Sequence, residues 1–268
     1  MLARALFSVL LLLSLSFSLS VVSPVREDVE TGDIIDLGTI GPGQTVSIQI
    51  DPIVTDGGVH GIGGQYDYAI AEDLPRGWTT KQSKLYQNPL HLTITADPEA
   101  EPGNYSMEVR VVDEYNGEQL GNVTFEAQVE ITYDVMDFNV TPAYLEVGPG
   151  QPARFTISIA NKGSTSDVFE VSALGPKRWE FKKPVFVPAM TTKEIQYEIV
   201  GREEETYRAT VSVVSLASDN IAGEKNVTLF IKPSLIGDYK ATNNGVMVFP
   251  IFQAPIYSLA GLISNLFP

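Results

Sequence analysis

The sequence predicts an all-β protein of two tandem β-sandwiches, with an export leader in front and an apolar tail behind. Three observations carry that prediction. A block of about 100 residues, the size of one sandwich domain, occurs twice with the same landmarks in the same order. Within each block the strands alternate apolar and polar residues, one face for a core and one for water. Gly, Pro, Asn and Asp break the strands at short spacing, and no helical period of apolar residues shows between 34 and 234.

The leader comes first, over residues 1–20. Arg4 supplies its positive end, Ala5–Leu15 its apolar stretch, and Ser18 and Ser20 the small residues ahead of a cut before Val21. The alternative is an uncleaved anchor, because Ala5–Val22 runs 18 residues without a charge, close to a spanning length. Either route places the body outside the cytoplasm. The chain has 268 residues and a net charge of −15 from 18 basic and 33 acidic groups. Loss of Arg4 with the leader makes that −16. Such a field repels phosphate backbones, so no nucleic-acid partner is expected. With no Cys and only His60 and His91, disulfides, thiolate chemistry and Cys- or His-rich metal centres are excluded.

The two sandwiches follow, over 34–133 and 134–234. Gly41-Pro42-Gly43-Gln44 returns as Gly148-Pro149-Gly150-Gln151, each opening a strand with period-2 alternation: Val46, Ile48, Ile50 and Phe155, Ile157, Ile159. Leu74 to Trp78 answers to Leu174 to Trp179, and Leu90, Leu92, Ile94 to Ile195, Tyr197, Ile199. Asn104-Tyr105 to Val111 answers to Thr206-Tyr207 to Val213, and Asn122-Val123-Thr124 to Asn226-Val227-Thr228. Tyr105 and Tyr207 sit early in the penultimate strand, where a tyrosine corner bonds its hydroxyl back to the chain. Trp78 and Trp179 each close one core. The junction Ile131–Val135 is short and lacks Gly and Pro, so the two domains are expected to hold a restricted angle.

This pattern of Gly-Pro-Gly-Gln, alternating strand, Asn161-Lys162-Gly163, Pro/Trp element and late Tyr strand resembles prokaryotic immunoglobulin-like modules. The resemblance is to the alpha-galactosidase-associated type and to adhesion-related domains of archaeal surface-layer-like proteins. Residues 135–233 carry it best. It implies an immunoglobulin-like fold and a cell-surface setting; it brings no catalytic residue.

Outside the repeat, the first copy inserts Asp56-Gly57-Gly58-Val59-His60-Gly61-Ile62-Gly63-Gly64. This reads as a mobile or tightly turned hairpin loop, or as a binding loop carrying His60. It matches neither a dinucleotide fingerprint nor a P-loop. Asn104, Asn122, Asn139 and Asn226 head four glycosylation sequons. The acidic runs 97–101, 113–114 and 203–205 read as solvated surface, since none reproduces a calcium-loop spacing. Neither His lies in a nucleophile elbow. No catalytic, metal or cofactor site is predicted, and the chain reads as non-enzymatic.

The tail, 235–268, is the odd feature, with no charge from Ala241 to Pro268. Its first part, with Phe249 and Phe252, suits a short strand. After Pro255, Ile256, Leu259, Ile263, Leu266 and Phe267 recur at helical spacing. That helix would be only about 20 Å long at 1.5 Å per residue, too short to span alone. Membrane association, docking to an envelope partner and folding back on the body are the three readings, with attachment expected. The expectation is therefore a secreted, membrane-associated envelope protein with a structural or adhesion role. Its alternatives are an accessory extracytoplasmic subunit of a membrane complex, and a carbohydrate-binding module in which exposed Trp78 or Tyr66 stacks on a glycan.

Overall fold

The computed structural model describes residues 19–232. Over that span the chain is all-β, and its sheets are consistent with β-sandwich packing. The expected tail, and residues 1–18 of the leader, lie outside the described residues.

The first group of strands is β1 (Leu19–Ser23), β2 (Glu27–Val29), β3 (Ile34–Ile40), β4 (Thr45–Asp51), β5 (Ile53–Val54), β6 (Gly64–Gln65), β7 (Tyr68–Glu72), β8 (Thr79–Lys81), β9 (Leu90–Thr95), β10 (Gly103–Val112) and β11 (Val123–Ile131). One sheet runs β2-β1-β4-β9-β8, the other β3-β11-β10-β7, and β5 and β6 form a small hairpin. Alternation decides the faces: Val46, Ile48, Ile50, Leu90, Leu92 and Ile94 all turn inward and are buried. They meet Val109, Val111, Phe125, Ala127 and Val129 of the facing sheet in one cluster.

The second group is β12 (Met136–Thr141), β13 (Tyr144–Val147), β14 (Pro152–Asn161), β15 (Asp167–Leu174), β16 (Phe181–Val187), β17 (Thr192–Val200), β18 (Thr206–Ser215) and β19 (Ala222–Ile231). Its sheets run β12-β14-β17 and β13-β19-β18-β15-β16. Phe155, Ile157, Ile159, Phe169, Val211 and Val213 lie in a separate buried cluster. In both groups a strand runs parallel beside the last one, β3 on β11 and β13 on β19. The strand after each Trp differs: β8 pairs with β9, whereas the longer β16 pairs with β15.

Two sequence landmarks shift. Strand β1 lies upstream of residue 34, and a cut before Val21 would fall inside it. It pairs with β4 as β12 pairs with β14: Val21 faces Ile50 as Val140 faces Ile157, and after a bulge at Val22, Ser23-Pro24 answers to Thr141-Pro142. The Asn-Val-Thr motifs are not equivalent. Tyr105 faces Val129 and Tyr207 faces Leu229, so Asn226 matches Glu126, and Asn122 lies ahead of its strand. The longer connection 113–122 of the first group accounts for part of that offset, and the triplet's own earlier place in the sequence for the rest.

Tyr105 donates its hydroxyl to the Glu101 carbonyl at 2.9 Å, the backward bond of a tyrosine corner. The two Trp are buried against Tyr105 and its counterpart Tyr207, Trp78 on Tyr105 at 5.3 Å between rings and Trp179 on Tyr207 at 4.7 Å. Burial pushes the Tyr197 phenol up to about 12, and its hydroxyl donates to the Trp179 carbonyl at 2.7 Å.

Candidate functional site

The inserted glycine segment forms the β5–β6 hairpin, with Ile53 opposite Gln65 and Val54 opposite Gly64. It is tightly turned. A side chain on Gly63, at φ +76°, would place Cβ 1.9 Å from the Val54 carbonyl oxygen, and one on Gly64 would meet the Glu118 carboxylate at 1.8 Å. Gly58 lies close to the Glu118 backbone as well. Gly57 and Gly61 also take positive φ, the region that favours glycine. The glycines thus let the hairpin lie on the 113–121 loop: Val59 N donates to the Glu118 carbonyl at 2.8 Å, and Gln65 N donates to the Glu118 carboxylate.

Beneath both loops sits Asp67, which is fully buried. Its Oδ2 accepts the backbone N–H groups of Glu114 and Tyr115, each at 2.6 Å. Its carbonyl accepts Tyr86 N at 2.8 Å, which draws the 82–89 loop to the same end. Asp113 in turn accepts Leu120 N. One oxygen of Asp67 and one of Asp113 are buried without a hydrogen-bond partner. Burial, and then the Asp113 charge, raises the Tyr66 phenol above its ordinary value. Among the described residues, no group of three or more His, Asp or Glu is gathered to hold a metal ion.

On this fixed base the three loops expose apolar side chains: Val59 and Ile62 on the hairpin, Leu85 and Tyr86 on the second loop, and Tyr115 on the third. Ile62 is 76% exposed. Exposed apolar side chains on loops held by a scaffold are candidates for a contact surface. His60 is exposed beside them. Sequence reasoning found the hairpin and missed Leu85, Tyr86 and Tyr115, whose loops are distant in the chain. Their only local signal is an aromatic or Leu within a turn-rich stretch.

At the opposite end of the first group lies a joint with the second. Gln44 is buried; its Oε1 accepts Gly41 N at 2.8 Å and its Nε2 donates to Asp167 Oδ2 at 2.7 Å. Ser215 Oγ donates to the same Asp167 oxygen at 2.7 Å. Ser164 N and Oγ both reach the Thr39 carbonyl, Thr165 Oγ1 that of Thr45, and Ser218 Oγ that of Pro98. Gly43, at φ +70°, has no room for a Cβ, which would lie 2.0 Å from the Ala217 carbonyl oxygen. In the second copy the equivalent Gln151 makes the same local bond, its Oε1 accepting Gly148 N at 3.2 Å.

No protein-family model matches the chain, and no curated protein matches it. Among solved structures it is similar to the CARDB domain of a Pyrococcus furiosus protein in complex with di-metal ions. That likeness has 17% identity over 37% of this chain and 91% of that one, at a TM-score of 0.28. A chimeric titin Z1Z2 shares 9% identity over 82% and 100%, at 0.35. A C. elegans member of the MSP family shares 16% over 35% and 97%, at 0.25. None of these likenesses assigns a role to a residue here.

The remaining expected site residues fall in three places. Asn104, Asn122, Asn139 and Asn226 are all exposed; Asn122 accepts Asp113 N, and Asn226 accepts the Thr210 hydroxyl. Trp78 and Tyr66 are buried, which corrects the expectation that they stack on a glycan: neither ring presents a face to solvent. Phe249, Phe252, Ile256, Leu259, Ile263, Leu266 and Phe267 lie outside the described residues. No helix among the described residues is long and apolar enough to cross a membrane.

Proposed function

We propose that the chain is an exported, non-enzymatic envelope protein in which two immunoglobulin-like sandwiches form a spacer with a structural or adhesion role. The loop end of the first sandwich makes the contact, and the apolar C-terminal tail attaches the other end to the membrane or to an envelope partner. The observation that carries the contact role is the set Val59, Ile62, Leu85, Tyr86 and Tyr115, exposed on loops that the buried Asp67 holds in place. Tyrosine on a rigid loop offers large contact area at low entropic cost. The joint through Gln44 and Asp167 supports the spacer role, because a bond between two buried side chains ties the two groups together. Glycosylation at the four exposed asparagines belongs to the same reading.

The test is binding of the purified full chain to isolated envelopes of the producing cell. A variant carrying Ile62→Asp and Tyr115→Ala is expected to bind at least about tenfold more weakly, roughly 1.4 kcal/mol, with an unchanged unfolding transition. Equal binding would overturn the contact role. Attachment is tested by cell fractionation: full-length protein should stay with membranes through high salt and carbonate, while a version ending at Pro233 is released. Release of both forms would overturn the attachment role.

A further inference from the structure

We infer that the leader is removed by cleavage of the Ser18–Leu19 bond, so that the mature protein begins at Leu19; this rests on the reading that the chain is exported. Leu19 and Val21 are both buried in the first core, at 1% and 0% exposure. Strand β1 is hydrogen-bonded on both sides: Leu19 faces Val29 on β2, and Ser20 faces both Asp28 on β2 and Asp51 on β4. A cut before Val21 would remove Leu19 from the core and most of the pairs that tie β2 to the sheet. The second group keeps its equivalent strand, β12, whole against β14.

The same strand decides between cleavage and anchoring. With Leu19–Ser23 committed to the sheet, the charge-free stretch left for a membrane is Ala5–Ser18, 14 residues. As a helix it reaches about 21 Å at 1.5 Å per residue, well short of a hydrocarbon core of about 30 Å. Apolar runs of that length fit a leader's hydrophobic region instead. Ser16 and Ser18 then supply the small residues three and one positions before the cut. In the step itself a signal peptidase adds water across the Ser18–Leu19 bond, leaving a carboxylate on Ser18 and an amino group on Leu19.

The experiment is expression of the full chain with its own leader in an exporting host, followed by intact mass and N-terminal peptide sequencing of the product. A product starting at Leu19 is expected. A start at Val21 or beyond overturns the site while leaving export standing. A start at Met1 overturns export by a cleaved leader and the site with it. Two variants sharpen the result. Ser18→Gln places a large residue at the cut and should accumulate uncleaved precursor, whereas Ser20→Gln, on a half-buried strand position, should leave the Leu19 start unchanged. The opposite pattern would assign the cut to the Ser20–Val21 bond.

Discussion

Gln44 and Asp167 show how much a single side chain can fix. The Gln44 amide closes its own turn with one end and crosses to the second group with the other, in a place from which water is excluded. Gln44→Ala leaves the Gly41 N–H and one face of the Asp167 carboxylate without their partners. A loss of about 1–3 kcal/mol follows, read as a lower denaturant midpoint. Asp67→Ala removes the acceptor of two loop N–H groups and should cost a similar amount. It should also speed amide exchange at Glu114 and Tyr115 while leaving exchange in β18 and β19 unchanged. Tyr197 contributes to the alkaline sensitivity. Its phenol is raised from 10 to about 12 by burial, so the folded state holds that proton when the unfolded chain has lost it. The stability it contributes is whole below pH 10 and falls as pH rises from 10 towards 12, by at most about 1.4 kcal/mol per pH unit. Urea titrations of Tyr197→Phe should show a shallower decline, the remainder belonging to other raised phenols such as Tyr66.

At the scale of elements, period-2 alternation makes the strands legible from the order of residues alone. Val46, Ile48 and Ile50, and Phe155, Ile157 and Ile159, are buried where the pattern puts a core. The Trp turns and the tyrosine corner are equally readable, because each is a local arrangement with its own residue signature. Strand β1 is not legible, since Leu19, Val21 and Val22 continue the apolar composition of the leader and show no boundary. The Asn-Val-Thr repeat misleads for a different reason: identical triplets lie at different heights on paired strands when the preceding loop differs in length. Leu19→Ala tests β1 directly. Deleting most of a fully buried side chain should cost about 2–5 kcal/mol, visible as a lower thermal midpoint. A loss below about 0.5 kcal/mol, the range of surface substitutions, would mean that β1 contributes little to the core.

At the scale of the whole molecule, the loop end and the joint lie at opposite ends of the first group. Neither is fully readable from the chain, because Gln44 and Asp167 are 123 positions apart and the three contact loops span residues 55 to 121. The sequence hints at a stiff junction only through the absence of Gly and Pro. Small-angle scattering of the full chain should fit one relative orientation of residues 19–131 and 136–231. Gly43→Val, which forces a branched side chain against the Ala217 carbonyl at a positive φ, should broaden that fit to several orientations. An unchanged profile would show that the linker alone holds the angle.

The parallel pairs β3–β11 and β13–β19 have a mechanical consequence. In each, the strand nearer the chain's start and the last strand of its group point the same way, with Ile34 to Ile40 beside Glu126 to Ile131 and Tyr144 to Val147 beside Thr228 to Ile231. Tension applied between the two ends of the chain pulls the members of each pair in opposite directions along their common axis. Every bond of the ladder is then loaded at once, in shear, instead of opening one after another like a zip. A molecule pulled at its first group and held beyond its last strand would carry that load across β13 and β19 in this geometry.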